Sequence, residues 1–447
     1  MISYVRKFVE VLIITSLVII VFSKAFLTLS PMNFLFFYGA GVTVVASTTF
    51  FIALFLYKDP YKIAVKRNGK LDTSIKASLM VAVHNEEEII HECVQSMLLQ
   101  TYENKEIIVV NDASTDNTLS HLREYEERGE IILINIEKNV GKKRALARAM
   151  QAATGNIFIF TDSDSKWARD AVEKIMHIFQ AFLKVGAVSG HSRALNGDHN
   201  LLTKIQDSWY EGQYSIRKAF ESYFGAVTCV SGPLAAFRRE AIFNYIPAWE
   251  NDKFLGQEFK FATDRTLTGF VLGGTSVGDK LKKKYSDSHF VKTEDYPARH
   301  WKIVYSKAAR SWTNVPDTFS HVIKQQVRWK KSFIRNIFFT GTFYWKRPVI
   351  PAVIYYLHII FVLIAPFIVI RHLLYVPIVQ HSLLIPLYYL AGIAFVGFMF
   401  GLAYKLENPT CHKWIYRPLM SLMSTLVFSW LIFYSAATVK KMVWFRG

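Results

Sequence analysis

Apolar positions fall along this chain in two distinct patterns. Residues 12–27 and 34–57 form one nearly unbroken apolar cluster, and 349–370, 383–404 and 419–434 form another. Each run approaches the roughly 20 residues that a helix needs to cross a hydrocarbon core. Five membrane helices are therefore predicted: two N-terminal ones in residues 1–57, with a turn at Ser30-Pro31, and three in residues 346–447. The first run is followed at once by a second and by no small-residue cleavage site, so it reads as a span rather than a removable leader.

Between the clusters the pattern changes. After a basic linker at 58–76, short apolar runs alternate with amphipathic ones. Strands are expected at 78–83, 106–110, 131–136 and 156–160, with helices at 86–99, from Thr115 or Asp116 onward, and at 142–153. Such alternation predicts an α/β domain with a parallel sheet covered by helices on both faces. Further along, 198–224 and 316–340 read as aromatic-rich, amphipathic helices at the membrane interface. Residues 273–301 are Gly-rich, then basic at Lys282-Lys283-Lys284, then acidic, and read as an inserted linker or a loop over the site.

Composition and charge sharpen this picture. The 447 residues are 51% hydrophobic and 15% aromatic, which suits an integral membrane protein better than a soluble domain. The net charge is +18, and the basic residues lie mostly between the apolar clusters. The positive-inside rule then places residues 58–345 in the cytoplasm beneath the plasma membrane, with the amino terminus (Arg6, Lys7) on the same side. Three later spans would leave Lys440, Lys441 and Arg446 outside, against that rule, so either the last segment is re-entrant or the count differs. No nucleic-acid motif accompanies the charge; membrane lipids and a nucleotide-sugar account for it better. Cys93, Cys229 and Cys411 have neither disulfide-framework nor zinc spacing.

The candidate chemistry gathers where open α/β sheets bind ligands, beyond the strand ends. There lie His84-Asn85-Glu86, Asp112 and the pair Asp162-Ser163-Asp164. A lone Asp-x-Asp also occurs where a strand turns into a helix cap, but three polar clusters on one rim are a stronger sign. Asp162 and Asp164 suit a Mg²⁺ or Mn²⁺ shared with a diphosphate. Asp112 is a candidate acceptor for a uracil ring, and Glu86 for the nucleoside. Gly141-Lys142-Lys143-Arg144 opens a helix, where amides and cations can meet a phosphate, or else it is a solvated helix face.

The strings "VAVHNEEE", "VVNDASTDNT", "NVGKKRALA" and "FTDSDS", in that order, resemble the inverting glycosyltransferases of family 2. The resemblance extends over roughly residues 75–340 and implies a GT-A, Rossmann-like nucleotide-sugar-binding domain set between transmembrane helices. "CVSGPLAAFRRE" (229–240) is similar to the acceptor-side segment of hyaluronan synthases. "ATDRTLT" (262–268) matches the segment that carries the catalytic base, which makes Asp264 the base, although Ala262-Thr263 stands where synthases usually have Gly-Asp or Gly-Glu. Gln325, Arg328 and Trp329 form the polymerase signature Gln-x-x-Arg-Trp. The tail lacks the Trp-Gly-Thr-Arg ending of some relatives.

The resemblance implies donor-binding residues His84, Glu86, Asp112, Lys143, Arg144, Asp162, Gln325 and Arg328. It implies acceptor-binding residues Cys229, Ser231, Gly232, Pro233 and Trp329, and a Mg²⁺ or Mn²⁺ at Asp162 and Asp164. The function expected is a processive, membrane-bound synthase that polymerises UDP-GlcNAc and UDP-glucuronic acid and passes the nascent polysaccharide through its own spans, as hyaluronan synthases do. A chitin or chitooligosaccharide synthase is the alternative, favoured by Thr263 and by "VPDT" at 315–318. An inactive channel subunit is the reading from another class, disfavoured because Asp162, Asp164, Asp264 and Trp329 are all retained.

Overall fold

Strand β1 (Ala77–Val83) is buried at every position. Leu79, Val81 and Val83 join one apolar cluster and Met80 and Ala82 another, the two-residue period of a strand covered on both faces. Around it lie β2 (Lys105–Asp112), β3 (Ile132–Ile136), β4 (Ile157–Phe160), β5 (Ser165–Trp167), β6 (Val185–Ala194) and β7 (Ala235–Arg238). A short ribbon, β8 (Lys253–Phe254) and β9 (Gln257–Glu258), stands apart, and β10 (Lys302–Thr313) returns to the main sheet. This computed structural model describes residues 34–441 together with Thr15. The predicted helix at 12–27, the Ser30-Pro31 turn and the tail from 442 lie outside the described residues.

The sheet has eight strands in the order β3-β2-β1-β4-β7-β6-β10-β5. The β3-β2-β1-β4 half is parallel, as the alternation predicts. The other half is not. Strand β7 runs antiparallel to β4 and β6, and β5 antiparallel to β10, which makes the sheet mixed. This second half carries the reverse-running chain that delivers residues 229–234 to the rim.

Helix α1 (Phe34–Phe51) continues through a π-helical turn, Ile52–Leu56, and ends at Tyr57. The linker expected at 58–76 contains a helix, Pro60–Asn68, started by Asp59 as N-cap and Pro60 at the first helical position. Asp59 also accepts from Ser306 Oγ and the Ala308 amide, both at 2.8 Å, and so fastens the base of α1 to β10. Helix α2 (Lys142–Ala152) follows β3. Helix α3 (Leu201–Gly212) begins with a capping box of Asn200 and Thr203 and runs on through a π-helical turn, Gln213–Lys218, to Tyr223. Helices α4 (Thr263–Gly273) and α5 (Phe319–Phe339) complete the domain, and α6 (Val349–Ile370) and α7 (Leu384–Glu407) leave it.

Two expectations are corrected. Residues 273–301 are neither a free linker nor a loop over the site. They form short helices, Gly278–Lys284 and His289–Lys292, clamped by the Arg239–Glu294 fork (2.7 and 3.0 Å) and by Asn244 Nδ2 on the Phe290 carbonyl (2.7 Å). The apolar run at 419–434 is not one straight span. Among the described residues three stretches are long and apolar enough to cross a membrane, Phe37–Asn68, Val349–Val379 and Leu384–Leu406, whereas Lys413–Phe428 and Leu431–Ala437 meet at a bend of 43°.

Candidate active site

The loops after β1 and β2 are stitched together before any ligand is considered. Asn85 takes a left-handed φ of +54°. Its side chain accepts from the Thr115 amide (2.8 Å), while its own amide donates to Ser114 Oγ (3.0 Å). The Glu86 amide donates to Thr118 Oγ1 at 2.8 Å. Asp112 is buried, and its two carboxylate oxygens accept from the Val140 and Gly141 amides at 2.7 and 2.9 Å. Asp112 thus holds the loop that starts α2, while its carbonyl meets His84 Nδ1 at 2.9 Å.

The start of α2 requires a correction. Lys143 and Arg144 were expected at the donor phosphates, but successive residues on a helix diverge by about 100°. Lys143 turns inward, is 6% exposed, and donates to Asp252 Oδ2 (3.0 Å) and the Phe259 carbonyl (2.7 Å). Arg335 holds the other Asp252 oxygen. Arg144 pairs with Glu258 at 3.1 Å. The cation of this run that reaches the acidic pair is Lys142, part of the expected basic run but not of the expected donor-binding set; its ammonium is hydrogen-bonded to Asp162.

Strand β4 ends at Phe160, and the next residues deliver the acidic pair. Asp164 accepts from Thr313 Oγ1 (3.1 Å) and Ser165 Oγ (3.2 Å). Glu86 accepts from Ser163 Oγ at 3.0 Å. Burial, with the Asp162 and Glu86 carboxylates nearby, pushes the Asp164 carboxyl up to about 6. Crowded carboxylates in a desolvated site are a fit for a hard cation. Among the described residues no group of three or more His, Cys, Asp or Glu side chains is placed to hold an ion. Two carboxylates plus diphosphate oxygens is an ordinary magnesium arrangement.

Opposite this pair lies the loop 229–234. A Cβ added at Gly232 would sit 2.7 Å from Asp162 Oδ2, so only glycine lets the loop pass that close. The Pro233 carbonyl accepts from Trp167 Nε1 (2.6 Å) and Thr161 Oγ1 (3.2 Å), which fixes the loop to β4 and β5. Ser231 Oγ accepts from Lys218 Nζ at 2.6 Å, and the same ammonium reaches Ser189 Oγ at 2.8 Å. Burial lowers the Lys218 ammonium to about 8. Lys218 is a second residue the sequence reading missed; its signal is the π-helical turn, a feature that often marks functional sites.

Cys229 Sγ donates to Asp264 Oδ2 at 3.4 Å, which puts the expected base against the expected acceptor loop. Burial first, then the Asp264 charge, pushes the Cys229 thiol up to about 12, so it stays a neutral donor. Asp264 lies in the first turn of α4, where the helix dipole favours negative charge. Arg328, on α5, lies in the combined field of Asp162, Asp164 and Asp264. Gln325 is half-buried one turn earlier. Trp329 stacks on Trp209 of α3, centroids 5.4 Å apart at 23°, and lies near Tyr210.

Residues 78–245 match the model of Glycosyl transferase family 2. Hyaluronan synthase of Streptococcus pyogenes is 26% identical over 410 residues, 90% of this chain and 89% of that protein. Poly-beta-1,6-N-acetyl-D-glucosamine synthase of Staphylococcus aureus (strain COL) is 27% identical over 315 residues, 69% of this chain and 68% of its own length. Among solved structures, a mannosyltransferase from Pyrobaculum calidifontis in complex with GDP-Man and Mn²⁺ superposes with a TM-score of 0.48 at 20% identity, covering 89% of this chain and 97% of that one. The matched segment includes the β1 and β2 loops, the α2 start, the acidic pair and the 229–234 loop, so the chain carries a family 2 glycosyltransferase domain and is a glycosyltransferase.

Proposed function

We propose that this protein is a processive, inverting, membrane-embedded synthase that polymerises UDP-sugars into a β-linked polysaccharide, with UDP-GlcNAc and UDP-glucuronic acid as donors, and moves the product through its own spans. The observation that carries this is that the 229–234 loop touches Asp264 through Cys229 at one end and passes against Asp162 at Gly232, so the expected base, the acidic pair and the expected acceptor loop share one site. The two polysaccharide synthases to which the chain is similar support the same reading. The catalytic domain then faces the cytoplasm, where nucleotide-sugars are, and the basic charge of the domain agrees.

In this reading Asp264 accepts the proton of the acceptor hydroxyl as its oxygen attacks the anomeric carbon. The bond from that carbon to the diphosphate breaks on the opposite side, which inverts configuration. Lys142 and Arg328 face the charge that develops on departing UDP. Asp162 and Asp164 would hold a Mg²⁺ or Mn²⁺, and such an ion supplies positive charge to the diphosphate oxygens. Loop 229–233 frames the acceptor, and Trp329 offers it an aromatic face.

The test is polymer synthesis by the purified protein, with UDP-GlcNAc and UDP-glucuronic acid supplied singly and together. Product only with both donors, degraded by hyaluronidase, is the expected result. Chitinase-sensitive product from UDP-GlcNAc alone would overturn the two-donor reading in favour of a poly-GlcNAc synthase. In the same assay Asp264→Asn should lower turnover by at least about a hundredfold while UDP binding persists; normal turnover would remove Asp264 as base.

A further inference from the structure

The β8–β9 ribbon breaks two local rules at its tip. Lys253 pairs with Glu258 and Phe254 with Gln257, so Leu255 and Gly256 are the two residues of the turn. Both have positive φ, +50° and +83°, the pattern of a type I′ hairpin turn. Asn, Asp or Gly suits its first position, and other L-residues rarely take that conformation. Here a leucine takes it, and that leucine is 57% exposed. A leucine that gains nothing from the turn and nothing from the core points to a contact outside the chain.

The ribbon is held stiffly at its base. The Phe259 amide donates to the Asp252 carbonyl at 2.8 Å, and the Asp252 carboxylate accepts from Lys143 Nζ (3.0 Å) and Arg335 Nη2. Phe254 lies against Phe338 of α5, ring centroids 5.6 Å apart, and Phe338 is 67% exposed. On its other side Phe254 packs on the cluster of Phe259, Phe261 and Val439. Leu255, Phe254 and Phe338 thus form one apolar patch on the outside of a rigid ribbon.

The neighbours of the patch say what covers it. Helix α5 ends one residue after Phe338, and the long apolar stretch Val349–Val379 begins shortly beyond. Between them Trp345 is exposed, as aromatic side chains are at the edge of a bilayer. Val439 ends the C-terminal apolar segment, in which Phe433 and Tyr434 are exposed. The ribbon therefore stands between two segments of membrane-crossing composition. Exposed lysines fringe it: Lys253 on β8, Lys260 just after β9, and Lys440 and Lys441 just after Val439. An apolar tip with such a fringe suits the headgroup layer, apolar side chains down and ammonium groups at the phosphates. A second copy of the chain would have to desolvate the lysines to reach the patch.

We infer that the β8–β9 ribbon is a membrane-inserting tip. Leu255, with Phe254 and Phe338 beside it, enters the interfacial layer of the bilayer and seats this edge of the catalytic domain on the membrane, next to the segment that leads into Asp264. The contact is separate from the reaction and does not depend on which sugars are joined.

The test places an environment-sensitive fluorophore on Leu255→Cys of the full-length protein in lipid nanodiscs. Phe338→Cys gives a second position, on a helix rather than a turn, and exposed Glu127→Cys, at the end of the helix Thr118–Glu127, is the water-facing reference. Wild type labelled in parallel sets the background from Cys93, Cys229 and Cys411, and retained UDP binding certifies that each variant is folded. Nitroxide on the acyl chain just below the headgroups should quench the probes at 255 and 338 at least about twofold, because an interfacial side chain lies about 5–10 Å into the boundary. Iodide in the water should quench both at least about twofold less than the reference, for the same reason. Iodide quenching equal to the reference, without nitroxide quenching, would overturn the inference. So would protection from both quenchers, which would put a protein surface over the tip. Nitroxide quenching at 338 alone would overturn it too, since the helix and not the ribbon would then meet the lipid.

Discussion

At Ala262, immediately before α4, the backbone takes φ +62°, ψ +34°. That left-handed conformation costs an L-residue roughly 1–2 kcal/mol, and glycine adopts it freely. The glycine usual at this place in synthases therefore has a conformational reason. Ala262→Gly should raise thermal stability by up to about 1 kcal/mol, net of the entropy that glycine loses on folding, and should leave turnover intact; a lower melting temperature would show that the strain is relieved in some other way. The neighbouring lysines of α2 give a second contrast. Lys142→Met should weaken UDP-sugar binding about tenfold, the loss of one charge-assisted hydrogen bond, with little change in melting. Lys143→Met should do the reverse, because it strands buried Asp252 with Arg335 alone, a loss of about 3 kcal/mol. If Lys143→Met reduced donor affinity without touching stability, the expectation from the sequence would be right and the placement of the two side chains wrong.

Elements differ in how plainly the sequence announces them. Strands β1, β2 and β4 are short apolar runs because helices cover both faces, and all were legible within a residue or two. Strands β6 and β10 were not, because polar residues (Ser189, His191 and Ser192; Ser306, Ser311 and Thr313) share their buried positions with the apolar ones. His191 lies between Tyr305 and Glu211, at 2.6 and 3.0 Å, and Ser192 meets Ser311 at 2.7 Å. Buried hydrogen-bonded residues interrupt the hydrophobic period of both strands, and β10 also shifts register between Tyr305 and Arg310. Likewise α2 was legible as a helix, but which of three successive cations faces the rim depends on a rotation that a short basic run does not reveal. Helices α3 and α5 were legible as elements, and their pairing adds something new. The Trp209–Trp329 stack would make the proposed acceptor platform a two-helix structure rather than one residue. Trp209→Ala and Trp329→Ala should therefore both shorten the product, with donor affinity unchanged. Product of wild-type length from Trp209→Ala would reduce that ring to packing.

Across the whole molecule, the C-terminal apolar segment is tied to the catalytic domain at both ends. At its start, Lys413 pairs with Asp207 (3.1 Å) and Asp198 (3.0 Å), and Asn408 Nδ2 donates to Glu211 Oε1 at 2.6 Å. At its end, Ser435 Oγ donates to the Val327 carbonyl (3.3 Å), and Lys331 Nζ to the Lys441 carbonyl (2.7 Å). Val439 packs with Phe259, Phe261 and Ala262, the last of these two residues before Asp264. A bent segment tied to the domain at both ends fits the re-entrant alternative better than a third straight span. On that reading Lys440 and Lys441 lie on the domain side, without the conflict with the positive-inside rule that three straight spans would create. The start of this return depends on Glu211, which is fully buried. Burial alone would raise its carboxyl, but His191, Ser215 and Arg193 hold it down to about 2. A carboxylate with a folded pKa below its unfolded value stabilises fully above the unfolded value, near 4.5, and loses that contribution as pH falls toward 2. Glu211→Gln should therefore melt lower than wild type at pH 7, by about 3 kcal/mol for a broken buried charge network. The difference should shrink steadily below pH 4.5 and vanish near pH 2. A gap independent of pH over that range would mean that Glu211 acts through shape and hydrogen bonding, and that its charge does not hold the returning segment to the domain.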